Sequence, residues 1–200
     1  PRGPNSTGEI GSDDGHGYAL SAGSGEQRWT VETGGPVRSS PTVAGDTGFV
    51  GSGDGTLYAI DAKWGDKRWE VTTGDGINSS PTVADGGVFV GSDDGALYAI
   101  DAAAGDRVWS FETDGRIWSS PTVAGDNVYV GSNDGSVYAV DTTAGKREWM
   151  AETGDWVDTA PVVVNETLFV TSDDGTIYAF GAGVRGSPTV SRVNLSLIQL

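Results

Sequence analysis

The sequence has no cysteine, which removes disulfides, thiolate metal sites and cysteine nucleophiles together. Basic residues are scarce as well: 12 Lys and Arg stand against 28 Asp and Glu, for a formal net charge of −16, and only three of the bases are lysine. A surface of that sign repels phosphate backbones, so nucleic acid is not an expected partner. Long apolar runs are missing, and no segment carries a 3.6-residue apolar period without Gly or Pro interrupting it. Membrane insertion and a helical solenoid are therefore not expected. The chain also opens Pro1-Arg-Gly-Pro rather than with Met, the pattern of a processed product or a fragment.

What the chain has is repetition. Gly15, Gly55, Gly95, Gly135 and Gly175 recur at a spacing of forty residues, as do Trp29, Trp69, Trp109 and Trp149. Ser-Ser-Pro-Thr-Val begins at residues 39, 79 and 119 and becomes Thr-Ala-Pro-Val-Val at 159. A period of this length signals a propeller or a solenoid whose units share their core and do not fold alone. The 32 glycines fall at fixed turn positions beside Val, Ile, Tyr, Phe and Trp, so they mark tight turns rather than disorder.

Within the cleanest unit, Ser80-Pro-Thr-Val-Ala84 reads as a first strand, with Pro81 near its start, where a missing N–H costs least. Val88–Ser92 and Ala96–Asp101 read as the second and third strands, joined by the hairpin signal Asp94-Gly95, and Arg107–Thr113 reads as the fourth. Tyr98 and Ile100 point to one sheet face, and Leu97, Ala99 and Asp101 to the other. Four short antiparallel strands per forty residues predict a β-propeller blade, in an all-β fold.

The run Ala-x-Asp-x-x-x-Gly-x-x-x-Trp, present as Ala59–Trp69, Ala99–Trp109 and Ala139–Trp149, resembles the tryptophan-docking motif of PQQ-like, quinoprotein-type propeller repeats. The resemblance spans roughly residues 8–180 and implies that Trp29, Trp69, Trp109 and Trp149 are structural, each packing on an adjacent blade. The first copy departs, with Ser21 in place of Asp. The last departs further, with Gly181 and Arg185 where Asp and Gly belong and Thr189 at the Trp position. One domain over 1–200 is expected: a lead-in at 1–7, repeats over 8–180 and an atypical closing segment at 181–200. Its five copies predict about five blades, closed into a ring by joining the N- and C-terminal strands. The alternative is an open arc of a ring with seven or eight blades, the number the resemblance more often implies.

The second-to-third turns and the fourth-to-first links emerge on one rim, which collects Asp13, Asp14, Asp54, Asp93, Asp94, Asp134, Asp173 and Asp174 from the turns. Asp75, Asp114, Asp155 and Asp158 come from the links. Calcium favours such oxygen ligands, but Asp-Gly is what hairpin geometry demands, and no loop carries a self-contained calcium-binding run, so no metal site is assigned. Positions that differ between copies are better candidates for function. Just before the first strands these are Arg38, Asn78, Trp118 and Asp158, and two residues earlier Pro36, Gly76, Arg116 and Trp156. Trp118 and Trp156 beside Arg116 and Arg38 are expected either to form a recognition patch or to plug the axis.

No catalytic residue is assigned. His16, the only histidine, falls at a turn-flanking position, every nearby Ser belongs to the repeat skeleton, and no carboxylate pair stands apart from it. The expected function is a non-catalytic binding or scaffolding module that recognises a protein or peptide, with a membrane-associated complex as one setting. One alternative is a relative of PQQ- and calcium-dependent quinoprotein dehydrogenases, which the resemblance implies would hold both groups at the axis against a pair of adjacent cysteines. No cofactor is expected here, since this chain has no cysteine. A carbohydrate-binding propeller is the other alternative, although diversified rim positions argue against equal sites. Sequons at Asn5, Asn78, Asn165 and Asn194 favour an extracytoplasmic location. The acidic, lysine-poor composition predicts a halophilic protein, whose melting temperature should climb from low to molar salt.

Overall fold

A computed structural model describes residues 7–181 and 190–194, and among them the chain forms five antiparallel sheets. The first holds β1 (Thr7–Gly11), β2 (His16–Ser21) and β3 (Gln27–Glu32). The second holds β4 (Thr42–Ala44), β5 (Thr47–Gly51), β6 (Thr56–Asp61) and β7 (Lys67–Thr72). β8 (Thr82–Ala84), β9 (Gly87–Gly91), β10 (Ala96–Asp101) and β11 (Arg107–Glu112) form the third. β12 (Thr122–Ala124), β13 (Asn127–Gly131), β14 (Ser136–Asp141) and β15 (Arg147–Glu152) form the fourth. β16 (Val162–Val164), β17 (Thr167–Ser172), β18 (Thr176–Gly181) and β19 (Val190–Asn194) form the last. Each is an up-and-down meander, the propeller blade that the repeat predicts.

Period-2 alternation covers both faces of an internal blade. Tyr98 and Ile100 join a core cluster with Phe49, Leu57 and Ile77 of the preceding unit, while Leu97 and Ala99 join Val128, Val130 and Tyr138 of the following blade. The Trp motif is explained at the same interfaces. Trp29, Trp69 and Trp109 donate their indole N–H to the carbonyls of Ala62, Ala102 and Thr142 in the next blade, at 3.1, 3.2 and 2.9 Å. The motif's glycine lies under the ring: a Cβ on Gly105 would come within 2.8 Å of the Trp69 indole, and its φ of 78° already favours glycine.

Ser-Ser-Pro-Thr is an inter-blade ladder near the axis. The Thr42, Thr82 and Thr122 hydroxyls donate to the carbonyls of Pro81, Pro121 and Pro161 at 2.6, 2.6 and 2.5 Å. Ser40 and Ser80 donate their N–H groups to the hydroxyls of Ser80 and Ser120, both at 2.9 Å. Val162 replaces the threonine in the last blade, which ends the ladder there.

The ends differ from the sequence expectation. β19 pairs with β18, from Phe180↔Val190 to Thr176↔Asn194, so the terminal strand completes its own sheet. No pairing among the described residues joins it to residues 8–33, and a blade shared by both termini is not seen. β18 offers a free antiparallel edge close in sequence, which is where the strand goes. The pairing sets Ser191 opposite Ala179, the place Trp149 holds opposite Ala139. Thr189, which a count of forty selects, lies outside the described residues, as does most of Gly186–Val190. The two end faces are open: Ile10 is 49% and Phe169 39% exposed, whereas Phe49, Phe89 and Tyr129 at the latter's position are at most 4% exposed. Among the described residues these two faces are left largely uncovered. Among the described residues no helix is long and apolar enough to cross a membrane.

Candidate functional site

The rim acids divide into two sets by their partners. In each hairpin the second acid is structural. Asp54, Asp94, Asp134 and Asp174 accept the hydroxyls of Tyr58, Tyr98, Tyr138 and Tyr178 at 2.7, 2.6, 2.7 and 2.5 Å. Their carboxylates also take N–H groups from the link of the preceding blade, at Gly34, Gly74, Asp114 and Gly154. Asp14 binds the Tyr18 hydroxyl in the same way, at 2.7 Å. Turn geometry and blade docking thus account for these acids, as the hairpin reading proposes.

Burial pushes the Tyr58, Tyr98 and Tyr138 phenols up to about 12, with the hydrogen-bonded carboxylate of each adding to the rise. For Asp54, burial pushes the carboxyl up, but the bonds from Tyr58, Gly34 and Thr56 hold it below its ordinary value. Both groups therefore keep their neutral-pH states, tyrosine as donor and aspartate as acceptor.

The first acid of the hairpin belongs to a different network, which alternates with the diversified link position around the axis. Arg38 Nε donates to Asp13 Oδ1 at 3.0 Å. Asn78 Nδ2 donates to both oxygens of Asp93, at 3.1 and 3.0 Å, and Trp118 Nε1 donates to Asp93 Oδ1 at 2.7 Å. Trp118 then meets Trp156 edge-to-face, with centroids 6.2 Å apart and planes at 80°. Trp118 is half-buried and Trp156 is 47% exposed. A shallow cavity of about 250 Å³ adjoins this group, lined by Asp93, Asp94, Asp114 and Arg116 among others.

Of the residues singled out in the sequence, Asn78, Trp118 and Trp156 come together and Arg116 lies beside the cavity. Arg38 stands apart on Asp13, and Asp158 is half-buried in the last link. Sequence reasoning missed Asp93 as the hub. Its signal is arithmetic: donors stand 15 residues before and 25 after it, spacings that sum to one period. His16 opens β2 rather than lying free in the turn, and its ring rests 3.2 Å from the Asp14 carbonyl. On the opposite rim, Trp64 is 66% exposed with the Lys63 ammonium 4.5 Å above its ring, a surface residue on its own hairpin.

A calcium-held quinone does not fit the donors present. No three His, Cys, Asp or Glu side chains converge among the described residues, and the chain has no cysteine to set against such a cofactor.

Residues 13–118 and 112–184 match the family model described as outer membrane protein assembly factor BamB. The fold is similar to the crystal structure of BamB from Moraxella catarrhalis, with a TM-score of 0.82 at 20% identity over 96% of this chain and 65% of that one. It is also similar to the computationally designed Ika8 protein, with a TM-score of 0.79 at 18% identity over 90% of this chain and 56% of that one. The chain therefore spans less than two thirds of the length of either. No curated protein sequence matches it.

Proposed function

Because the chain belongs to the family of outer membrane protein assembly factor BamB, built from PQQ-like propeller repeats, we propose that it is a non-catalytic scaffold. It binds a protein partner through the axial rim, in an extracytoplasmic, membrane-associated complex. The observation that carries this reading is the Trp118–Trp156 pair. Two large aromatics leave the docking motif, meet on the rim, and leave Trp156 47% exposed. Tryptophan in such a place supplies contact area at low entropic cost, the character of an interface anchor. The Asp93 carboxylate holds Trp118 by its indole N–H, so the platform is set before any partner arrives.

An aromatic photo-crosslinking amino acid, p-benzoylphenylalanine, which keeps a ring in the anchor position when placed at residue 156 and is placed in a separate variant at residue 64 on the opposite rim, tests the assignment in cells. Crosslinks to a discrete protein at 156 and none at 64 are expected; crosslinks at 64 alone would place recognition on the wrong rim. The enzymatic alternative has its own check. Added PQQ and calcium should give no bound chromophore and no dye-linked alcohol oxidation, and either signal would overturn the non-catalytic reading.

A further inference from the structure

Two positions of the repeat alternate around the axis. One, in the hairpin turn, holds Asp13, Gly53, Asp93, Asn133 and Asp173; the other, in the link, holds Arg38, Asn78, Trp118 and Asp158. In the first and middle blades the alternation sets donors against acceptors, Arg38 on Asp13 and both Asn78 and Trp118 on Asp93. In the last blades the same positions hold Asn133, Asp158 and Asp173. Asp158 and Asp173 repeat the placement of Asn78 and Asp93, which touch at 3.0 Å. Here both members are carboxylates. Among the described residues neither side chain has a hydrogen-bond or ion-pair partner, and Asn133 Oδ1 is buried without one.

Trp156 is tied to the same place through its backbone. The Trp156 carbonyl accepts the Asp173 N–H at 2.9 Å, and its own N–H donates to the Asp155 carboxylate at 2.8 Å, so the Trp156 backbone is tied to the acids. Elsewhere the chain lays its cations on aromatics: Lys63 on Trp64, Lys67 on Tyr58 at 4.4 Å, and Arg107 over Tyr98 at 5.6 Å. Among the described residues no such contact covers Trp156. Its exposed ring and two unneutralised carboxylates lack what those places have, a cation.

We propose that Trp156, Asp158 and Asp173 form a receptor for a lysine or arginine side chain on an extended segment of a partner protein. The ring takes the flat or ammonium face of the cation, and the carboxylates take its N–H donors. This rests on the reading of the rim as a partner surface and adds the partner's chemistry. A divalent ion is the weaker occupant, because among the described residues no group of three carboxylate or imidazole ligands converges here.

The probe is an arginine tetrapeptide amide, compared with its citrulline counterpart, which keeps the shape and loses the charge. Affinity is measured by titration calorimetry and the site is located on the Trp156 indole N–H of the wild type by NMR, with the whole 200-residue chain. The arginine peptide should move that signal and bind about tenfold more tightly than the citrulline peptide. Asp158→Asn with Asp173→Asn should lower its affinity about tenfold, and Trp156→Ala should do the same while melting stays unchanged. Equal binding to wild type and to the double variant would show attraction to the acidic surface at large and overturn the receptor. An unmoved Trp156 signal, or tighter binding by calcium alone, would overturn it as well. Crosslinking at residue 156 without arginine selectivity removes only the cation chemistry; loss of both removes the rim as the partner surface.

Discussion

The blade-to-blade faces and the axial rim are cut from the same forty-residue unit, but the first is copied and the second varied. Trp29, Trp69 and Trp109 meet the same carbonyl position at three successive interfaces, 33 residues further on each time. The rim position one residue before each Ser-Ser-Pro-Thr run, by contrast, holds Arg38, Asn78 and Trp118, and the last link holds Asp158. A face has to fit the next copy of its own neighbour, so a change on one side demands a matching change on the other. A rim side chain has few partners besides solvent, so it can differ with little matching change. The first interface shows the rule by its exception. Glu9 stands where Phe49, Phe89 and Tyr129 stand, and Gly48 stands where Val88, Val128 and Leu168 stand, each change making room for the other.

Breaking a copied face should cost most. Trp109→Ala removes the contact with Phe89 at 5.8 Å and the bond to Thr142, and should lower stability by about 3 kcal/mol or more in denaturant melts. An unchanged midpoint would mean the docking tryptophans are ornamental. The matched pair is the next test. Gly48→Val alone drives a side chain into the Glu9 carboxylate and should cost about 1–3 kcal/mol, while adding Glu9→Phe should restore most of it. Strictly additive effects would refute the paired-change account.

The tyrosine–aspartate hairpins give a smaller, pH-dependent loss. Tyr58, Tyr98 and Tyr138 are pushed up to about 12 in the folded chain, above the ordinary phenol value of about 10. The folded state then holds protons that the unfolded state gives up, so this stabilisation is complete below about pH 10 and drains away towards pH 12. Tyr98→Phe should flatten that alkaline decline in thermal melts. At the bottom of the scale, Trp156→Ala should shift stability by no more than about 0.5 kcal/mol while abolishing crosslinking from neighbouring rim positions. A large stability loss there would make Trp156 an axial plug rather than an anchor.

The blades themselves were legible because each strand boundary carries its own chemistry. Asp94-Gly95 turns the hairpin, Pro81 opens the inner strand, and Trp109 closes the outer one. The last strand was not, because counting by forty assumes a turn of constant length. The stretch after Gly181 is longer, so the pairing reaches Ser191 instead of Thr189. The rim was half legible. Variation among copies picks out Trp118 and Trp156, but Asp93 looks like any turn aspartate until two blades bring Asn78 and Trp118 onto it from either side.

The threonine–proline ladder ties the second, third and fourth blades each only to the one after it and runs out at Val162, and the sheet faces at the two ends of the chain are open. Order in such an array is held by neighbours alone, so it is lost from the two end sheets inward. Amide hydrogen exchange should then be graded along the chain: fastest in β1–β3 and β16–β19, slowest in β8–β11, which has a blade on either side. The Trp156–Asp173 receptor would lie on the fifth blade, among the parts first to loosen. A cationic partner seated there would slow the opening of that end of the chain.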